Sequence, residues 1–147
     1  MSDTVELSAK ELAQMRRLAA FEDTFGSADF TPGTWSGGNA DADGVIQMPW
    51  FSYSETVDWF RREMSGLGMV YPFDWPAWSR TPEGERLMSG PGAIATATAA
   101  DLARVLTTLV RGDRFSEGLL ADAFERGTIA AMTRRAAELV RAAEPKA

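Results

Sequence analysis

The 147-residue chain contains no cysteine and no histidine. Without cysteine there is no thiolate nucleophile and no disulfide framework. Without histidine, a Ser-His-Asp triad and ordinary zinc or haem ligation are excluded as well. Lysine is scarce: Lys10 and Lys146 both stand near the chain ends, poor places for a Schiff-base or phosphate-loop lysine. Any catalysis is therefore confined to carboxylates, Tyr, Ser, Thr, Arg and backbone amides. No metal and no cofactor is implied.

Long apolar runs are missing too. Nothing approaches the roughly 18 residues that span a bilayer, and "MSDTVELSAK" lacks the basic-then-apolar order of a signal peptide. The expectation is a cytoplasmic protein without membrane contact. Positive charge is also in short supply, with 15 Lys and Arg against 21 Asp and Glu and a net charge of -6. That balance disfavours a nucleic-acid partner, because such partners are held mainly through their phosphates.

What is present is a 45% hydrophobic chain, enough for one globular domain over 1–147 that buries its own core. "SAKE" at Ser8–Glu11 has capping-box spacing, and Leu12, Met15, Leu18, Phe21 and Phe25 follow at helical intervals to Gly26. This predicts a helix over 8–25. A second helix is expected over 54–66, from Ser54 through Val57, Phe60 and Met64. The C-terminal part, 98–143, reads as three closely spaced helices: one from Thr98 with Asp101 helping to cap it, then Ser116–Arg126 and Thr128–Ala143 before Pro145. "GTWSGGNADADGVIQMPWF" changes to strand-like text around a polar turn and predicts a hairpin at about 33–49. From 70 to 97 the four prolines Pro72, Pro76, Pro82 and Pro91 suggest loop, with one helical turn at "TPEGERLM" capped by Thr81 and with Pro82 at its first position. The expected fold is mainly α (α+β), with about five helices and one small antiparallel hairpin.

Four groups of residues could carry chemistry. "NADADGVI", Asn39–Ile46, begins like a calcium loop, but the twelfth position is Trp50 instead of a closing Glu; an exposed turn is the simpler reading. "RGDRFSEG", Arg111–Gly118, gathers Arg111, Asp113, Arg114 and Glu117 at a helix junction. It can clamp an anion beside a helix start, or pair its own charges while Glu117 serves the helix dipole. Asp74, Glu117, Asp122 and Glu125 could pair for acid–base work, which spacing alone does not show. Finally, Trp50, Phe51, Tyr53, Trp59, Phe60, Tyr71, Phe73, Trp75 and Trp78 crowd about one fifth of the chain. Most such rings pack into core, and those left over line a pocket or a partner surface.

The blocks "DGVIQMPWFSYS", "YPFDWPAW" and "LTTLVRGDRFSEGLLADAFERGTI" together resemble a family of small bacterial proteins built on a domain of unknown function. The likeness runs from about Phe30 to the last helix, and it implies a cytosolic domain with no activity to carry over. The leading expectation is a non-enzymatic domain that binds a protein or small ligand. Its surface would use Trp50, Tyr53, Tyr71, Trp75 and Trp78, with polar contacts from Asp74, Arg111, Arg114 and Glu117. One alternative is a carboxylate-dependent, hydrolase-like enzyme with Asp74 or Glu117 as acid or base and Arg114 holding an anionic substrate. Another is an inhibitor from a phage or mobile element that offers its acidic surface to a basic, nucleic-acid-binding protein. A second copy of the chain is a further candidate partner, since loop aromatics can pack across a dimer.

Overall fold

The computed structural model describes residues 6–143. It is mainly helical with a two-stranded antiparallel sheet, and it has more helices than the five or so expected. The first is α1, Ala9–Ala19. Its capping box is complete: the Glu11 amide donates to Ser8 Oγ at 3.0 Å and the Ser8 amide donates to Glu11 Oε1 at 3.0 Å. The helix expected over 8–25 is interrupted, because Phe21 N donates to Leu18 O in a tight three-residue step before the short α2, Glu22–Phe25. The step brings the rings of Phe21 and Phe25 each to 5.0 Å from that of Phe60.

Helix α3, Glu55–Gly66, starts where Ser54 Oγ accepts from Val57 N, and it buries Val57, Phe60 and Met64 on one face. The chain leaving it is pinned by two buried or part-buried polar contacts. Gln14 Nε2 donates to Leu67 O at 2.7 Å, and Thr107 Oγ1 donates to Met69 O at 3.0 Å.

The stretch 70–97 departs most from expectation. It holds three short helices, α4 Trp75–Ser79, α5 Pro82–Met88 and α6 Pro91–Ile94, each with a proline in its first two positions. Helix α5 is the turn expected from Thr81 and Pro82, whereas Pro76 and Pro91, which read as interruptions, are here helix starters too: the first helical positions need no N–H donor, and the fixed φ of proline suits them. Asp74 Oδ1 accepts from Ala77 N and Thr81 Oγ1 from Gly84 N at the starts of α4 and α5.

Helix α7, Ala99–Gly112, opens with the capping box of Thr98 and Asp101. Then come α8, Leu119–Glu125, and α9, Thr128–Ala143; α8 begins three residues later than its predicted start, and Pro145 lies outside the described residues. Helix α9 packs against α1, α2, α6, α7 and α8 and is the hub of the helical body. The core around it includes Met15, Leu18, Leu102, Leu106, Leu120, Ile129 and Met132, all fully buried.

The hairpin is longer than expected. Strand β1, Gly33–Ser36, pairs with β2, Trp50–Tyr53, from Gly33 opposite Tyr53 to Ser36 opposite Trp50. Between them residues 37–49 run out and back, held by Gly38 N donating to Gln47 O at 2.8 Å and by a bridge between Ala40 and Ile46. Every residue from Gly37 to Trp50 is exposed, so 33–53 forms a β-arm with a packed root and a solvated tip.

Candidate functional site

At the root of the arm, side chains alternate across the strands. Trp35 lies opposite Phe51 with rings 5.4 Å apart, whereas Trp50 lies opposite Ser36 and so belongs to the other face. The Trp35–Phe51 face leans on the link between α7 and α8. Gly118 there has φ 85°, and a Cβ on it would stand 2.5 Å from the Trp35 ring; only glycine meets both demands.

Two carboxylates fasten the root. Phe51 N donates to Glu117 Oε1 at 2.6 Å, so an outward amide of β2 is capped by a side chain instead of a third strand. Tyr53 Oη donates to Asp113 Oδ1 at 2.8 Å and accepts from Ala121 N at 3.0 Å, and Asp113 Oδ1 also accepts from Leu120 N at 3.1 Å. The start of α8 is thus satisfied by Asp113 and the Tyr53 hydroxyl. Glu117, expected to serve that helix, is used by the strand. Arg61 lies over the Tyr53 ring, its guanidinium carbon 4.8 Å from the centroid, and pairs with Asp58.

Burial first, then the hydrogen bond to Asp113 and its negative charge, push the Tyr53 phenol well above its ordinary value. A raised phenol keeps its proton in the folded state, so this contribution to stability is intact below the ordinary tyrosine pKa of about 10 and falls as pH rises beyond it. In a Tyr71→Phe background, which leaves Tyr53 as the only tyrosine, phenolate absorbance should appear together with alkaline unfolding. A Tyr53→Phe substitution should cost about 1–3 kcal/mol, because Ala121 N and one bond to Asp113 go unmatched. Chemical denaturation with an alkaline melt checks both; phenolate absorbance well before unfolding would contradict the buried Tyr53–Asp113 bond.

The other sequence-predicted site residues are spread over different places. Tyr71 stacks on Phe73 at 4.8 Å, Phe73 meets Trp78 edge-on at 6.2 Å, and Tyr71 and Trp78 both pack against the core. Trp75 sits over Gly112 and is 6.1 Å from Phe115. Trp50 is 44% exposed on the arm. Asp74 is exposed, and its carboxylate takes the amide of Ala77 at 3.1 Å, the structural role of a helix cap. Arg111 is half-buried in the last turn of α7, and Arg114 is exposed. Among the described residues no ring contact joins Trp50 or Tyr53 to Tyr71, Trp75 or Trp78.

In the turn of the arm, Asp41 Oδ1 accepts from both Asp43 N and Val45 N at 2.9 Å, so this carboxylate closes the turn. No group of three or more acidic side chains among the described residues is placed to hold a metal ion.

Sequence reading did not single out the apolar side chains that the arm leaves in solvent: Trp35, Val45, Ile46 and Met48 at 52, 57, 67 and 85% exposure. "GVIQMPW" carries the hydrophobicity of a buried strand, and nothing local in it signals that the strand projects. Phe115, 83% exposed, follows the last turn of α7. No helix among the described residues is long and apolar enough to cross a membrane.

A helical body with a side-chain-fastened β-arm is the class of protein these features define. The chain belongs to DUF6508, a family of unknown function, whose model matches residues 10–142. No curated protein and no solved structure matches it.

Proposed function

We propose that this chain is a non-enzymatic protein-binding domain that presents the β-arm to its partner. The observation that carries the reading is the placement of exposed apolar side chains. Of the seven large exposed hydrophobic residues among those described, Trp35, Val45, Ile46, Met48 and Trp50 are on the arm. Soluble monomers seldom leave such residues clustered in solvent unless they serve an interface. A catalytic role has less support. Asp74, Asp113 and Glu117 each have a carboxylate oxygen engaged by a backbone amide, structural roles that account for their positions without a substrate.

Of the site residues expected from the sequence, Trp50 belongs to this surface directly, while Tyr53 and Glu117 hold the arm at its root. An Ile46→Glu, Met48→Glu double variant should keep its melting temperature within about 2 °C of wild type, because both side chains are already in water. It should also lose the partner. The check is affinity capture with wild type and variant side by side, together with light scattering for self-association. Identical captured proteins and identical mass for the two would remove the arm from the reading.

A further inference from the structure

We propose that the groove between α3 and the C-terminal end of α7 is a binding site for phosphate-bearing ligands, read by Arg61, Arg62 and Arg114. The groove adjoins the root of the arm, through Tyr53 and Asp113, and it is a different surface from the exposed tip, so it does not rest on the role proposed for the arm. It is an open depression of about 480 Å³ lined by Arg61, Arg62, Ser65, Val110, Asp113 and Arg114. Small-molecule sites fall in the range of about 300–1,000 Å³.

Three guanidinium groups share one depression in a chain whose net charge is -6. The overall field repels anions, so an anion held here is held by local geometry. Arg62 and Arg114 have no ion-pair partner among the described residues. Arg61 is held in place, by Asp58 on one side and by the Tyr53 ring on the other. That ring is itself fixed, since its hydroxyl bonds Asp113 and Ala121 N.

Asp113 in the lining keeps its negative charge, and Asp58 pairs with Arg61, so the three arginines outnumber the acids beside them by one. Asp113 Oδ1 is turned towards the Tyr53 hydroxyl and Leu120 N, whose bonds it accepts, and neither Arg62 nor Arg114 is within ion-pair distance of it. Arg62 and Arg114, not engaged in ion pairs, stand beside the preset Arg61, and this array of guanidinium donors suits a group with several acceptor oxygens better than a single carboxylate. The Ser65 hydroxyl can add a donor, and Val110 offers an apolar wall to the organic part of a phosphate ester.

Titration calorimetry of the full chain with pyrophosphate should give saturable binding that weakens as salt rises. An Arg62→Ser, Arg114→Ser double variant should bind at least about tenfold more weakly, the loss expected from removing charged hydrogen bonds. An Arg134→Ser, Arg141→Ser variant, altered at a different depression bordered by Glu22 and Glu138, should bind as wild type does. Thermal melts establish that all three proteins are folded. Absence of saturable binding to wild type, or equal loss in both double variants, overturns the proposal. Co-sedimentation with phosphatidic acid vesicles, lost in the Arg62→Ser, Arg114→Ser variant, assigns the site to a lipid headgroup; a chain that stays in the supernatant while binding pyrophosphate assigns it to a soluble phosphate ester.

Discussion

Phe60→Ala should be among the most destabilising single substitutions in the chain, at about 3–5 kcal/mol. Phe60 is fully buried, and its ring stands 5.0 Å from Phe21, 5.0 Å from Phe25 and 6.3 Å from Phe124. These partners come from the step between α1 and α2, from α2 and from α8, and Phe25 and Phe124 also touch each other at 5.0 Å. The ring is therefore the centre of an edge-to-face nest that joins separate elements. Its loss removes buried apolar area and also leaves a hole that several rigid rings cannot fill together. At the usual scaling for a chain of this size the melting temperature should fall by about 10–15 °C. Phe60→Leu, which keeps most of the volume, should cost clearly less. A fall of less than about 3 °C for the alanine variant would mean that the nest is loose.

Gly84→Ala is the second large effect, and its sign opposes helix propensity. Gly84 lies inside α5 with no positive φ, so propensity alone predicts a gain of about 1 kcal/mol. A Cβ there, however, would stand 2.1 Å from the carbonyl oxygen of Trp78 and 2.9 Å from the Cα of Ser79. Both are backbone atoms of the α4 end, and neither can rotate aside. Helix α5 must move off α4, and the expected net loss is about 3 kcal/mol, read by chemical denaturation. Gly66→Ala is the matched control. Gly66 is exposed at the end of α3 with open space at its Cβ position, so that variant should be neutral or slightly more stable. Two glycine-to-alanine changes within helices would then differ in sign. Equal effects would show that the close approach of α4 and α5 carries no weight.

The long helices were legible because two independent local signals agree in them. Ser8 with Glu11, Ser54, and Thr98 with Asp101 supply the caps, and the apolar positions repeat at helical intervals behind each. The helices α4, α5 and α6 have four to seven residues, too few for a periodicity to register; α5 was legible from Thr81 and Pro82, while the prolines of α4 and α6 carry two opposite meanings that only position within the helix separates. The break before α2 was hidden for a related reason: Leu18, Phe21 and Phe25 fit a continuous helix, and the choice against it is made by the distant Phe60. At the arm, composition identified a hairpin but not its reach. Strand text with exposed Val45 and Ile46 is indistinguishable from buried strand until the rest of the fold leaves it uncovered.

The polar residues divide in the same way. Asp74 caps α4 through an amide only three residues on, a local contact that stays hidden because 70–80 reads as loop with no helix to cap. The Tyr53–Asp113–Ala121 contacts and the Phe51–Glu117 contact span 60 to 68 residues, and no window of sequence brings such partners together. Residue type was informative, since a Tyr and an Asp in packed surroundings need partners. Which partner each takes is a property of the fold.

The proline-started helices bear on the unfolded chain as much as on the folded one. Helices of four to seven residues are far below the length at which an isolated helix holds in water. Pro76, Pro82 and Pro91 restrict φ before any contact forms, so the chain from α4 to α6 has less disorder to surrender when it docks. The segment behaves as a strap already creased where it must bend, and the creases lie in the denatured ensemble, where no inventory of native contacts records them.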